Sequence, residues 1–432
     1  MPQRYTRRQF VQAVSAAIAA PTMISATAIG ADQRPAASDR IVVAIIGCGK
    51  MANEYHIPSL LGLADVQVVA VCDVDRSRRL HAKDRVDKHY SKQGATASCD
   101  VTDDFRQLIA RQDIDAVCIA TPDHWHALPS IEACKAGKDV YCEKPLTRTI
   151  LEAQRCVEAV TKHKRVFQTG SQQRSSVFGP FRQACELIRS GRVGDVQRIT
   201  VGVGGPSRWC DLPEESLEEG LNWDLWLGAA PQRPYSSVLS PRGVHNHFPA
   251  WRGYREYSGG GHTDMGAHHY DIAQWALNMD DSGPVDIIPP DDPKSGVGVR
   301  YRYANGVEMT HGGPDGCVFH GTQGKLHITR GVLTSEPESI VKEPLRDDEV
   351  HLFKSPGHHR NWIDCIKTRE KCVAPVEAGA RTVTIIHLGN WAYWSGRRLQ
   401  WDPKMWRFVG DDEANQKFLD GERRDPWRLP EA

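Results

Sequence analysis

The run Ile41-Val42-Val43-Ala44-Ile45-Ile46 contains no polar side chain and ends directly in Gly47-Cys48-Gly49-Lys50-Met51-Ala52. A strand without polar alternation must be covered on both faces, as a central strand of a parallel sheet is. The glycine-rich turn then feeds a helix, predicted through residues 56–63. Alternation continues, with strands at 66–72, 116–120 and 139–142 and helices at 105–111, 128–136 and 151–163. This order predicts an α/β domain, a doubly wound parallel sheet with right-handed crossovers.

Beyond Gln168 the strand-like runs follow one another, at 195–203, 297–303, 307–311, 318–320 and 325–329, with turn pairs such as Asn305-Gly306 and Gln323-Gly324 between them. They predict a second, α+β domain on an open, mostly antiparallel sheet, with helices at 361–367 and 377–395. The expected boundaries are 38–165 for the first domain and 166–432 for the second. Residues 204–258 are rich in Trp, Pro, Gly and Arg and show no period. An irregular excursion of that length in a compact domain is usually functional.

The 432 residues suffice for two cores, and 40% hydrophobic with 25% charged residues suits a globular protein without a spanning helix. Lys+Arg and Asp+Glu balance at 54 each, so no broad positive field is present to hold nucleic acid or an anionic membrane. The first 31 residues differ. Arg4, Arg7 and Arg8 occur with no acid before Asp32, Thr6-Arg7-Arg8-Gln9-Phe10 forms a twin-arginine pattern, and an Ala-rich apolar run and small residues near Ala28 follow. Residues 1–31 therefore read as a twin-arginine signal, cut between Ala28 and Ala31, that sends the folded chain to the periplasm. Twelve cysteines are present but no CxxC pair; Cys72, Cys118 and Cys142 lie in or beside apolar runs, where a free thiol acts as a small hydrophobe. A chain that folds in a reducing compartment before export has no need of disulfides.

Gly47-x-Gly49-x-x-Ala52 follows a strand, opens a helix and is answered by Asp73 at the end of the second strand. That is the fingerprint of a dinucleotide site in a Rossmann domain. Gly47 makes the tight turn, Gly49 lets the backbone approach a pyrophosphate, Ala52 lets helix and strand pack, and the amides near Lys50 and Met51 face the phosphates. Asp73 would accept the ribose hydroxyls and repel a 2′-phosphate, which favours NAD. Arg76, Arg78 and Arg79 nearby leave NADP open.

Two further segments carry chemistry. Thr121-Pro122-Asp123-His124-Trp125-His126 and Glu143-Lys144-Pro145 each follow a strand, and ligands of open α/β sheets bind at the carboxyl ends of strands. Thr121, Pro122, His124, Glu143 and Lys144 are thus expected beside the nicotinamide, with Lys144 holding a substrate hydroxyl and its developing charge. His126 reads as polar packing. In the second domain, Asp264, His268 and Asp271 follow Gly259-Gly260-Gly261 at i, i+4 and i+7, so one helix would carry all three on one face. A carboxylate one turn from an imidazole would orient the ring and raise its proton affinity, so Asp264 and His268 are expected as an acid/base pair.

Together, GCGKMA, the Asp after the second strand, Cys142-Glu143-Lys144-Pro145-Leu146 and Asp264-Met265-Gly266-x-His268 resemble the Gfo/Idh/MocA oxidoreductases, from about Arg40 to the carboxyl end. The resemblance implies catalytic roles for Lys144, Asp264 and His268, and reversible hydride transfer between a sugar or polyol carbon and a nicotinamide. Sugar contacts are expected from Arg174, Trp209, His245, Trp251 and Arg252, with Trp223, Trp226 and His247 as further candidates. His245-x-His247 and His358-His359 lack a third metal ligand at suitable spacing, and no metal is expected. Family analogy implies a homo-oligomer, dimer or tetramer. Export implies a tightly bound NAD recycled in place. A redox-neutral glycoside-cleaving enzyme working through a transient ketone is the alternative reading, and a non-catalytic sugar or nucleotide sensor a third.

Overall fold

Six strands build the first sheet: β1 (Ile41–Ile46), β2 (Val66–Cys72), β3 (Asp100–Thr102), β4 (Ala116–Ile119), β5 (Asp139–Cys142) and β6 (Phe167–Thr169), in the order β3-β2-β1-β4-β5-β6 and all parallel. Residues 43–46 and the whole of β4 and β5 are buried, as unbroken apolar runs require. The connection reverses direction between β1 and β4, which opens a crevice at their carboxyl ends. The computed structural model describes residues 35–94 and 98–432, so the predicted leader at 1–31 lies outside the described residues. A short turn at Ala37–Asp39 belongs to a leading unit ending at Arg40, and Ile41–Ala432 is a second unit.

The predicted α/β order is present, with local differences. The helix expected at 56–63 begins earlier, as a π-wound turn over Ala52–His56 that continues as α-helix over Ile57–Leu61. A helix over Arg76–Ser91 was not predicted. It is capped by Asp75 and buries only Arg78, Ala82 and Val86, so its apolar stripe is too sparse to show as a period. The first sheet also runs past the expected boundary at 165, because β6 pairs with β5; three residues are too few to carry a strand pattern. From the far end of the chain, the helix His358–Thr368 returns to this sheet, placing Trp362, Ile363 and Ile366 in one core with Val43, Ile45 and Tyr141.

The second sheet is mostly antiparallel and consists of β7 (Val196–Gly202), β8 (Asp286–Ile288), β9 (Arg300–Arg302), β10 (Glu308–Gly321), β11 (Lys325–Thr329), β12 (Val332–Glu336), β13 (Leu399–Asp402) and β14 (Arg407–Phe408). The two strands expected at 307–311 and 318–320 are one element. It bends at Gly312, Gly313 and Gly316, all at positive φ, and both of its halves pair with β7. Helices Gly266–Ala276 and Val376–Ser395 cover the sheet, with Tyr270, Ile385, Tyr301 and Phe319 in its core. The excursion at 204–258 keeps its shape through a small core of its own, in which Trp223, Trp226, Tyr235, Trp251 and Tyr257 pack together. No helix among the described residues is long and apolar enough to cross a membrane.

Candidate active site

The carboxyl ends of β1, β2, β4 and β5 open into a cavity of about 500 Å³ that the excursion and the segment 264–268 close from the other side. Gly47 sits at φ +90°, and a Cβ there would lie 2.7 Å from the Ala120 backbone, so only glycine lets the turn pass. A Cβ on Gly49 would meet nothing within 4 Å, which leaves a cradle open to the cavity. Asp73 accepts the amides of Cys48 (2.7 Å) and Asp75 (2.8 Å). Burial raises its pKa, with Arg78 opposing. Thr121 Oγ1 is buried without a hydrogen-bond partner among the described residues, although Thr121 borders the cavity. Such a cradle, with an orphaned hydroxyl and a carboxylate at the end of β2, fits a dinucleotide. Gly47, Gly49, Lys50, Met51, Asp73, Thr121 and Pro122 would hold it, while Ala52 packs beneath the turn.

At the other end of the cavity, Lys144 from the loop after β5 meets the second domain. Its Nζ lies 2.7 Å from Asp264 Oδ1 and 2.9 Å from the Asp264 carbonyl oxygen, and Arg252 Nε stands 3.5 Å from the same carboxylate. Burial alone would raise the Asp264 pKa, but Lys144 and Arg252 outweigh it and hold the carboxyl below its ordinary range. Glu143 is buried behind Lys144, where Gln172 Nε2 (2.6 Å) and the Tyr141 hydroxyl (3.3 Å) donate to it and His56 Nε2 lies at 3.2 Å. Burial works against its charge, yet His56 and Lys144 keep its pKa below the ordinary value. A Cβ on Gly170 would stand 2.8 Å from the Glu143 carboxylate, so that glycine makes room for it. His126 ties the two motif loops together, its ring nitrogens lying 2.8 Å from the Pro145 carbonyl and 3.0 Å from that of Thr121.

Several expectations require correction. Asp264 and His268 do not pair. The helix is divided at Met265, the Asp264 carboxylate turns to the two cations, and His268 Nδ1 is buried without a hydrogen-bond partner among the described residues. Instead of being raised, the His268 pKa is pushed well below its ordinary value, first by burial and then by Lys144 and Arg330. His268 nonetheless borders the cavity. Arg174 and Asp271 are in the interior, not at the cavity: Arg174 binds Asp271 at 2.8 Å and Asp280 at 2.7 Å, with its side chain 2% exposed. Trp209 is 62% exposed and meets Arg255 outside the cavity. His124 is buried behind the cavity wall, its Nε2 2.9 Å from the Trp226 carbonyl.

His245, Trp226, Trp251 and Arg252 do border the cavity, with the Arg252 guanidinium over the Trp251 ring. Trp223 stacks on Trp226 in the excursion's own core. Asp123, Arg78 and Arg330 also reach the cavity, and the sequence patterns assigned no role to Asp123 or Arg330. For Asp123 a signal existed, its place in the turn directly after β4. Among the described residues no group of three or more His, Cys, Asp or Glu is arranged to hold a metal ion.

Comparison with known proteins agrees with this architecture. Over 151 residues (35% of this chain and 42% of the relative) the sequence is 34% identical to an inositol 2-dehydrogenase of Salmonella typhimurium. Over 130 residues (29% of this chain and 27% of the relative) it is 32% identical to a glycosyl hydrolase family 109 protein of a Shewanella species. The chain thus spans under half the length of the curated relatives it matches. The crystal structure of the WlbA dehydrogenase from Bordetella pertussis, in complex with NADH and UDP-GlcNAcA, has the same fold, with a TM-score of 0.57 and 17% identity over 84% of this chain and 99% of that one. Residues 41–171 match the NAD-binding Rossmann fold of the oxidoreductase family, and residues 200–429 match that family's C-terminal alpha/beta domain. With both matches in chain order and covering most of its length, this chain belongs to the Gfo/Idh/MocA oxidoreductase family.

Proposed function

We propose that this protein oxidises a hydroxyl-bearing carbon of a sugar or polyol, reversibly, using an NAD that it keeps bound. One observation carries the reading: Lys144 of the nucleotide-binding domain and Asp264 of the second domain meet at 2.7 Å, in the same cavity as His268 and the glycine-rich turn. A bound nicotinamide would supply the hydride acceptor. Lys144, steered by the Asp264 carboxylate, donates a hydrogen bond to the substrate oxygen and stabilises charge as it develops there. His268, kept neutral by burial, accepts a hydrogen bond from a substrate hydroxyl. Trp251 offers an apolar face to a sugar ring and Arg252 a donor at its edge. Asp73 favours NAD over its 2′-phosphorylated form. The twin-arginine leader adds that the folded holoprotein works outside the cytoplasm, where its dinucleotide is recycled by a second substrate.

Denaturing the purified protein should release NAD, and mixing the holoprotein with monosaccharides and inositols should reduce the bound nicotinamide and yield a keto-sugar. A protein that carries and binds no dinucleotide would end this reading. Cleavage of glycosides with no net change in cofactor state would favour the redox-neutral alternative, for which the similarity to the glycosyl hydrolase family 109 protein is the supporting observation. Lys144→Ala should retain the dinucleotide and lose turnover by a factor of about 10² or more. Turnover that survives on added NAD would contradict the role given to Lys144.

A further inference from the structure

Asp123 is a buried carboxyl facing the reaction space. It stands in the turn Asp123–Trp125 directly after β4, one strand away from Lys144 after β5, and it borders the cavity although the residue is only 3% exposed. One oxygen, Oδ2, accepts a 2.6 Å hydrogen bond from Ser258 Oγ, a hydroxyl supplied by the excursion. The other, Oδ1, accepts no hydrogen bond among the described residues. Ser258 is held in turn through its backbone, whose carbonyl accepts a 2.9 Å hydrogen bond from Ser207 Oγ and whose amide donates at 2.9 Å to the Tyr254 carbonyl. The carboxyl is therefore held at one oxygen and open at the other, within the field of the groups that bind the substrate oxygen.

Resting on the oxidoreductase reading, we propose that Asp123 is the acid/base residue that takes the hydroxyl proton of the substrate and returns it in the reverse reaction. The balance is simple: the substrate C–H leaves with both electrons as hydride to the oxidised dinucleotide, the C=O forms, and the O–H proton passes to Asp123 Oδ1, directly or across one cavity water. Three charges face the carboxyl, Lys144 from the loop after β5, Arg252 from the excursion and Asp264 from the turn Gly261–Asp264; the buried Cys142 thiol also senses it. Its neighbour His124 is neutral, pushed down to about 3 by burial. Burial pushes Asp123 up to about 7, with the Ser258 hydroxyl and Arg252 opposing. A proton acceptor is most effective when its pKa lies near the working pH. His268, held far below its ordinary value, is poorly placed to store a proton in the same cavity.

The test uses the full-length holoprotein and two readouts. With 13C-labelled aspartate, the Asp123 carboxyl resonance, identified by its loss in Asp123→Asn, should titrate near neutrality and move to higher pH in Ser258→Ala. In single-turnover reduction of the bound dinucleotide by a sugar, the wild-type rate should rise with pH through the same inflection. Asp123→Asn should lose the inflection and slow the step by about a hundredfold or more, and Asp123→Glu should restore part of both. A resonance titrating in the ordinary carboxylate range overturns the assignment, as does an Asp123→Asn variant with wild-type rate and inflection. A wild-type holoprotein whose dinucleotide no sugar reduces counts against the oxidoreductase reading itself, and the resonance still decides the protonation state of Asp123.

Discussion

A buried carboxyl such as that of Asp123 leaves a mark on folding as well as on chemistry. Its pKa in the folded protein is about 7, against about 3.9 for an unperturbed aspartate, so between those values the folded chain holds a proton that the unfolded chain has released. Its contribution therefore disfavours folding progressively as pH rises from about 4 to 7, by at most about 4 kcal/mol at about 1.4 kcal/mol per unit. Glu143 has the opposite sign, since its depressed pKa lends stability that is lost on acidification. Urea denaturation at several pH values should show Asp123→Asn gaining on the wild type as pH rises from about 4 to about 7 and keeping a constant advantage above that; parallel curves over that range would place the titration elsewhere. At this scale the sequence spoke unevenly. Spacing located Gly47, Asp73, Lys144, Asp264 and His268 around the cavity, because a turn or a strand end fixes where a Cα lies. It could not tell which partner Asp264 takes. A helical interval of four residues suggests His268, but a carboxylate beside two cations prefers them to a neutral ring, and both cations arrive from distant parts of the chain.

Single elements are tied together by charges that local pattern cannot reveal. Arg174 was expected to reach the substrate, yet its guanidinium fastens the turn Gln172–Ser175 to the helix Gly266–Ala276 through Asp271 and, beyond that helix, to Asp280. Burial opposes its charge, and the two carboxylates raise its pKa in spite of it. Truncation would strand the Asp271 carboxylate in the core, and breaking a buried pair from one side costs about 3–5 kcal/mol. Arg174→Ala should therefore lower the denaturant midpoint sharply while leaving the KM for the sugar in the folded fraction unchanged. A raised KM at undiminished stability would return Arg174 to the substrate site. The same contrast explains which elements were legible. The apolar strands β1, β2, β4 and β5 announce themselves by composition, whereas the polar helix Arg76–Ser91, the three-residue β6 and the bend in β10 depend on capping, pairing and glycine geometry that become visible only when the chain is folded.

The excursion at 204–258, legible in sequence only as an aperiodic stretch, lies across the nucleotide half of the cavity as a strap. Lys50 Nζ donates to the Asn246 carbonyl at 2.5 Å; Arg78 donates to the Gly243 carbonyl and to Ser240 Oγ, both at 3.2 Å, and to the Pro241 carbonyl. Farther back, the Arg76 amide donates to the Gly220 carbonyl and the Asn222 amide to that of Val74. Lys50 stands in the glycine-rich turn and Arg78 borders the same cavity as Asp73, so release of a dinucleotide held there is expected to require these bonds to open. A hydrogen bond to a charged group contributes about 1.5–3 kcal/mol, so losing even part of the Arg78 set should speed release of the dinucleotide by about tenfold or more. Chasing the holoprotein with excess labelled NAD measures that rate. Arg78→Ala should release and rebind faster together, because a strap obstructs passage in both directions. A direct contact with the cofactor would instead change mainly the off-rate. Ser240→Ala, which removes one strap hydroxyl and leaves Arg78 in place, should move both rates in the same direction by less. Unchanged rebinding in both variants would mean that the strap does not gate the site, and that slow release, if present, comes from the contacts made by the glycine-rich turn.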